Sequence, residues 1–180
     1  MKIILILVLT IYGVHCERIK LTCEQIRAFV DGHNFRRLQV ANGLVPGQPA
    51  ASDMQFMVWN EELAEKASKW AEKGQFEHNP DRSIGSNRWN LIGENIYVYN
   101  YYSNMGDEAK INIQEALNSW FQEHKYYNFV PFFLSSVKPF GHYTQVIGNY
   151  LEQKPYTAKG PTKYLQCNDG YCDKPYGSNC

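Results

Sequence analysis

The chain has 180 residues with 18 basic and 18 acidic side chains, so its formal net charge at neutral pH is zero. This length fits a single domain with a full hydrophobic core. The lack of a basic excess predicts no broad electrostatic surface for nucleic acid or for an anionic membrane.

Residues 1–16 have the pattern of a secretory signal peptide. One lysine precedes an apolar run over residues 3–13, which is too short to span a membrane. Val14 and Cys16 are small enough for the −3 and −1 positions of a cleavage site, so we expect a secreted, extracellular protein that begins at Glu17. The alternative, a lipid-anchored Cys16, lacks the small residue usually needed before the cysteine. No later segment has the length and apolarity of a transmembrane helix.

The cysteines indicate an oxidising compartment. Without the leader, four remain: Cys23, Cys167, Cys172 and Cys180. An even number favours two disulfides, and three connectivities are possible. A zinc site is a poor alternative because the spacings contain no Cys-x-x-Cys pair.

The first predicted helix begins with a capping-box pattern at Thr22 and Gln25. Asn42-Gly43 supplies its stop signal. Its inward positions follow three- and four-residue spacing: Ile26, Val30, His33, Arg37 and Ala41.

Two further helices are predicted. Asn60 caps the second, which Gly74 ends, and the third starts near Asp107. The buried stripe of the second helix is Leu63, Ala67, Trp70 and Ala71. That of the third is Ile113, Ala116, Leu117, Trp120 and Phe121.

Three segments have strand-like composition: Leu91–Tyr99, Phe140–Ile147 and Lys163–Asn168. Helices segregated around a small antiparallel sheet define an α+β domain. From Leu151 onward the chain is rich in Lys, Pro, Gly, Tyr and Cys, so we expect an irregular tail held by its cysteines.

Four polar side chains are predicted to lie in settings where they need hydrogen-bond or metal partners. Glu94 is inside an apolar strand, and Glu123 follows Trp120 by three residues on the buried face of the third helix. His142 lies in a strand-like segment, and His78 follows the second helix. An unpaired buried polar group costs about 1–3 kcal/mol, so these side chains are expected to pair with one another, with other donors or with a metal.

Four short segments of the chain, taken together and in this order, form a recognisable set of motifs. They are residues 33–37 (His-Asn-Phe-Arg-Arg), 93–96 (Gly-Glu-Asn-Ile), 120–123 (Trp-Phe-Gln-Glu) with Tyr127, and 141–148 (Gly-His-Tyr-Thr-Gln-Val-Ile-Gly). Together they resemble the superfamily of cysteine-rich secretory proteins, antigen-five allergens and plant pathogenesis-related proteins (CAP), and are most similar to arthropod venom allergens of the antigen-five branch. The resemblance implies a three-layer α-β-α sandwich, with one CAP domain over residues 17–180 and an atypical cysteine-containing segment over 151–180.

The resemblance also implies a site. The matching family positions converge in a central cleft, which assigns His78, Glu94, Glu123 and His142 to a site for Zn²⁺ or another divalent cation. The carboxylates could be ligands, or could accept the imidazole N–H and orient the rings. The alternative is a closed His–Glu hydrogen-bond network without metal.

Another family motif has a structural interpretation. His33, Asn34 and Arg37 match it, and we expect them to tie the first helix to neighbouring backbone. The chain departs from the family at Gly148, where tryptophan is usual, and at Gly74, where a cysteine is common.

The favoured function is that of a secreted, non-catalytic effector of the venom or salivary type. Such a protein binds a host or prey target, of which an ion channel is one, or a small ligand. The tail after Asn168 is too short for the family's cysteine-rich channel-binding module.

Two alternatives belong to other classes. A metal-assisted peptidase could use the His/Glu cleft. However, no serine or cysteine nucleophile occurs in a diagnostic motif and no His-Glu-x-x-His is present, so no catalytic residue is assigned. A lipid- or sterol-binding module could use the apolar and aromatic segment Tyr126–Leu134, if that segment is exposed.

Overall fold

The computed structural model describes residues 3–10, 20–85, 91–100, 111–130, 140–148, 155–167, 172–178 and 180. These residues combine helices and strands, which confirms the mixed helix and strand class. The elements in chain order are β1 (Ile3–Thr10), α1 (Cys23–Ala41), α2 (Glu61–Ala71), β2 (Gly93–Asn100), α3 (Ile113–Phe121), the 3-10 helix η1 (Gln122–Tyr126) and α4 (Gly141–Ile147).

The start of α1 is the predicted capping box. The Thr22 hydroxyl accepts from the Gln25 backbone N–H, and the Gln25 side chain accepts from the Thr22 N–H at 2.8 Å. All of the positions predicted to face inward are buried: Ile26, Val30, His33, Arg37 and Ala41. The 3.6-residue periodicity therefore predicted correctly which face of α1 is buried against the core.

The second and third helices also begin at side-chain caps. Asn60 accepts from Leu63 N–H at 2.9 Å, and Asn112 accepts from Glu115 N–H at 3.1 Å. The expected start near Asp107 lies outside the described residues. Both stripes are buried as predicted, except that Ala71 is only partly buried.

Two glycines explain the departures from the family pattern. Gly74 follows α2 with a φ of 64°, a left-handed conformation that ends helices and disfavours other residues. Gly148 follows α4 with a φ of 121°, and a Cβ there would lie 2.9 Å from the Pro155 carbonyl oxygen. Neither position accommodates the side chain usual in the family without strain.

The hydrophobic core has two parts. The larger packs α1, α3 and α4 around the fully buried Trp120 and Tyr143. Helices α1 and α3 approach closely at Gly32, where a Cβ would lie 2.4 Å from Leu117 Cδ1. The smaller part packs the apolar face of α2, including Trp70, against β2.

The sheet differs from the prediction. The described strands β1 and β2 pair in parallel, from Ile3 opposite Gly93 to Thr10 opposite Asn100, so the expected antiparallel arrangement is not seen in the described chain. Parallel strands need a long crossover, which α1 and α2 provide. Strand β1 lies within the segment predicted as a leader.

Two predicted strands were wrong. Residues 141–147 form helix α4 rather than a strand. The described part of the 163–168 segment contributes a single bridge, between Gln166 and Gln55, and Asn168 lies outside the described residues. In both cases β-branched and aromatic composition was outweighed by contacts that are distant in sequence.

The structure selects one of the three disulfide connectivities. Cys23 is bonded to Cys180, and Cys167 to Cys172. The long-range disulfide fastens the end of the chain to the start of α1. The Tyr176 hydroxyl reinforces this attachment by donating to Asp31 at 3.0 Å.

Candidate functional site

The first half of the candidate site is a hydrogen-bonded pair, His78 and Glu94. Strand β2 carries Glu94, whose side chain is 2% exposed, whereas the His78 side chain is 54% exposed. His78 Nδ1–H donates to Glu94 Oε1 at 2.7 Å, and Asn79 N–H donates to the same oxygen at 3.0 Å. The Arg82 guanidinium is 3.9 Å away. These donors compensate a buried carboxylate that would otherwise be costly.

The second half is the pair Glu123 and His142, which is built at a helix start. His142 Nδ1–H donates to Glu123 Oε1 at 2.8 Å. The backbone N–H groups of His142 and Tyr143 donate to Oε2 at 3.0 and 3.3 Å. Glu123 therefore satisfies the first turn of α4, whose orphan N–H groups favour negative charge.

The predicted local settings of this second pair were wrong. Helix α3 ends at Phe121, so Glu123 lies in η1 with its side chain 15% exposed, not on the buried face of α3. His142 lies in the first turn of a helix, not in a strand, and its side chain is 36% exposed. The pairing of each carboxylate with one imidazole nevertheless matches the orienting arrangement considered above.

Strand β2 adjoins both pairs. It carries Glu94 itself, and the Asn95 side chain donates to the His142 carbonyl oxygen at 3.0 Å. Trp120 Nε1 donates to Ile96 O at 3.2 Å, and its indole stacks on the His142 ring with centroids 6.1 Å apart. The two pairs are thus attached to neighbouring residues of one strand.

The structural motif of α1 has the expected kind of role. Asn34 donates to Met57 O and accepts from Met57 N–H, both at 2.8 Å. Arg37 donates to Gln55 O at 2.7 Å and to Val146 O at 2.9 Å. These contacts fix the loop before α2 and the end of α4.

His33 acts within its own helix. Its Nδ1–H donates to Phe29 O at 2.8 Å, four residues earlier in α1, rather than to another element. Burial, with smaller contributions from the charges of Arg37 and Arg36, lowers the pKa of His33 to about 4. The ring is therefore neutral at physiological pH.

The two pairs offer imidazole nitrogens, which are chemically suited to bind a divalent cation, but they offer few ligands. Because each Nδ1 is hydrogen-bonded to a carboxylate, Nε2 is the nitrogen left to His78 and to His142, and both rings are partly exposed. In the described part of the chain, no group of three or more His, Cys, Asp or Glu side chains is placed to hold a metal.

Two contributors to the site were missed by sequence reasoning. Arg82 lies in a loop without periodicity, so no sequence signal placed it beside Glu94. Asn95 was read only as part of a motif, although an amide in an apolar strand is itself a signal of a buried hydrogen bond.

The aromatic segment Tyr126–Leu134 is only partly buried where the structure describes it. Tyr127 is buried, and the Phe129 ring packs on Tyr156 with centroids 4.6 Å apart. Residues 131–134 lie outside the described chain. Tyr126 is 37% exposed, so the described part of the segment is neither fully buried nor a continuous exposed patch.

These features define a class of protein. The profile of the cysteine-rich secretory protein family (CAP) matches residues 30–153, which includes both His–Glu pairs and the α1 motif. The chain belongs to this family.

Individual relatives support the same assignment. Scoloptoxin SSD558 of Scolopendra dehaani is 33% identical over 149 residues, which cover 80% of this chain and 67% of that protein. Scoloptoxin SSD552 of the same organism is 30% identical over 171 residues, covering 86% and 77%. Peptidase inhibitor 16 of Mus musculus is 32% identical over 157 residues, covering 87% of this chain and 25% of that protein. No solved structure matches significantly.

Among the described residues, no helix is both long and apolar enough to cross a membrane.

Proposed function

We propose that this chain is an extracellular effector of the venom type, which acts by binding a host or prey target rather than by turnover. Its similarity to scoloptoxins supports a toxin-like role. Two disulfides suit an oxidising, extracellular compartment. A three-layer α-β-α sandwich is part of the same proposal.

The observation that carries the binding proposal is the mutual satisfaction of the four polar residues. Glu94 accepts from an imidazole and a backbone N–H, and Glu123 accepts from an imidazole and two backbone N–H groups. A general base must be within reach of a substrate proton, and these carboxylates are instead directed at the protein. A hydrolytic zinc site generally has three protein ligands.

The cleft is also proposed to bind one divalent cation through Nε2 of His78 and of His142, with Glu94 and Glu123 as orienting partners. When bound, such an ion would act as a Lewis acid and an anchor for anionic groups. The chain's own contribution is to hold both imidazoles in the tautomer that presents Nε2.

Calorimetric titration with Zn²⁺ tests the cation proposal. His78→Ala and His142→Ala are each expected to weaken Zn²⁺ binding at least tenfold, while Glu72→Gln, an exposed change after α2, is expected to leave it within about twofold. Unchanged affinity in either pair variant would refute a shared cation.

The target proposal has a separate test. Current recordings on excitable cells of host and prey species are compared for the wild type and for folded His142→Ala and Glu94→Gln. We expect the target effect to persist in both variants, because it resides in surface shape. Sustained cleavage of peptide substrates by the wild type, lost in these variants, would instead establish the peptidase alternative.

A further inference from the structure

Strand β2 has a backbone edge that is covered by part of the predicted leader. Among the described residues β2 pairs with one strand, β1, in parallel, from Ile3 opposite Gly93 to Thr10 opposite Asn100. Strand β1 lies wholly within residues 1–16, which we expect to be removed on secretion. Cleavage there takes away the strand that pairs with all eight residues of β2.

Several contacts hold β2 in place independently of β1. Ile96 belongs to the apolar cluster that includes Trp70 of α2. Trp120 Nε1 donates to Ile96 O at 3.2 Å, and the Asn95 side chain donates to the His142 carbonyl oxygen at 3.0 Å. Three helices therefore fasten β2, and we expect it to stay extended after cleavage.

The sequence of β2 lacks the features that usually protect an exposed edge. Residues 93–100 contain no proline and no lysine, and their register with β1 runs without a bulge. Their one charged side chain, Glu94, is 2% exposed and accepts from His78 and from Asn79 N–H. Prolines, exposed charges and bulges are the means by which proteins prevent unpaired N–H and C=O groups from recruiting another strand. The uncovered edge is therefore competent to pair.

The segment that covers the edge in the full-length chain indicates what the edge accepts. Strand β1 has seven aliphatic residues followed by Thr10, and it carries no charge. Helix α2, whose buried side belongs to the smaller part of the core, lies beside both strands. A strand that replaces β1 therefore meets an apolar neighbour as well as the backbone of β2.

We propose that, in the secreted form, the edge of β2 that β1 covers binds an extended, uncharged aliphatic segment of a protein target, which joins the sheet as a parallel strand. This inference rests on the proposed cleavage after residue 16 and on the proposed effector role. Strand addition draws its affinity from main-chain hydrogen bonds, so it selects a class of segments by their extended conformation and apolar side chains.

A synthetic peptide of residues 3–10, flanked by lysines for solubility, is the probe. Fluorescence anisotropy measures its binding to the secreted protein, whose intact mass is determined first, and to the uncleaved chain. We expect the secreted protein to bind the peptide and the uncleaved chain, covered by its own β1, to bind at least tenfold more weakly.

Backbone methylation of the peptide is the matched control. Alternate residues of a strand direct their N–H groups to opposite sides, so N-methylation at every second residue from Ile4, or from Leu5, blocks one side only. One of these two peptides is expected to bind at least tenfold more weakly, and the other within about threefold of the parent. Equal effects of the two methylation patterns would mean non-specific apolar binding and would overturn the proposal.

The remaining outcomes separate this inference from the proposals beneath it. A secreted protein that lacks residues 1–16 and does not bind the peptide, or that covers the edge by dimerising, overturns strand addition and leaves the cleavage intact. A secreted mass that retains residues 1–16 overturns both. Saturating peptide is expected to reduce the effect on target cells at least fivefold, and an undiminished effect would overturn the edge as the target contact while leaving the effector role standing.

Discussion

At the scale of single residues, His33 shows how a polar group is adapted to a core. Its Nδ1–H is satisfied by Phe29 O, while Nε2 is buried without a partner among the described residues. Protonating Nε2 would put an unpaired N–H and a positive charge beside Arg36 and Arg37. The folded protein therefore resists protonation at this ring.

This resistance predicts a loss of stability in mild acid. The pKa of His33 is about 4 in the folded protein, against an ordinary value of 6.5 for histidine. Because the unfolded chain takes up the proton first, the contribution of His33 is fully present above pH 6.5 and falls as the pH approaches 4. Between pH 7 and pH 5 we expect the free energy of unfolding to drop by about 2 kcal/mol on this account.

Urea unfolding at both pH values measures the drop. His33→Gln keeps an amide donor for Phe29 O and removes the titration, so its drop should be smaller than that of the wild type by about 2 kcal/mol. Equal drops in the two proteins would show that His33 is not the group responsible.

At the scale of elements, α4 is a helix imposed by its neighbours. Glu123 accepts from the N–H groups of its first turn, and Arg37 donates to Val146 O near its other end. Both charges have the sign that the helix dipole favours at that end. Neither residue belongs to α4, so local composition could not reveal the helix.

Removing the charge at the start of α4 should weaken it. Glu123→Gln is expected to lower the free energy of unfolding by about 1–3 kcal/mol, because charge-assisted hydrogen bonds to two N–H groups and an imidazole are reduced. Amide exchange in α4 should accelerate more than in α2. The control is Glu72→Gln, an exposed change after α2, and a similar loss in that variant would contradict the capping role.

At the scale of the whole molecule, the two disulfides should differ in their effect on stability. Cys23 and Cys180 are 157 residues apart, whereas Cys167 and Cys172 are 5 apart. In the chain-entropy description a longer closed loop constrains the unfolded state more.

Paired serine variants measure this difference. Replacing Cys23 and Cys180 is expected to cost about 2–3 kcal/mol more than replacing Cys167 and Cys172. Urea midpoints of the two folded variants give the comparison. Equal costs would mean that the unfolded chain is already compact near its ends, or that native contacts of the tail dominate.

Processing is the second prediction at this scale. We expect the secreted protein to start at Glu17 and to contain no free thiol, since cleavage after residue 16 leaves the two disulfides. Intact mass before and after reduction tests both points. A mass that includes residues 1–16 would show instead that β1 is retained beside β2.

The partners that the structure gives to the candidate site residues were not predictable from the sequence. His78, Glu94, Glu123 and His142 each stood out as a polar group in an apolar or motif context. Which carboxylate accepts from which imidazole depends on the fold, because the paired residues are 16 and 19 positions apart in the sequence. The position of the Arg82 guanidinium near Glu94 could be recognised only from the structure, in which the loop that contains Arg82 lies against β2.

Residue order alone was enough to predict the family, the caps and inward faces of α1 and α2, the buried stripe of α3 and the extended segment that forms β2. These features depend on residues three or four apart, or on contiguous motifs, so local periodicity carries them. The tertiary structure decided the disulfide pairing, the pairing of the described strands, the helical state of 141–147 and the two His–Glu pairs. Most of these depend on groups brought together across long stretches of chain, where the free energy of a contact outweighs local propensity.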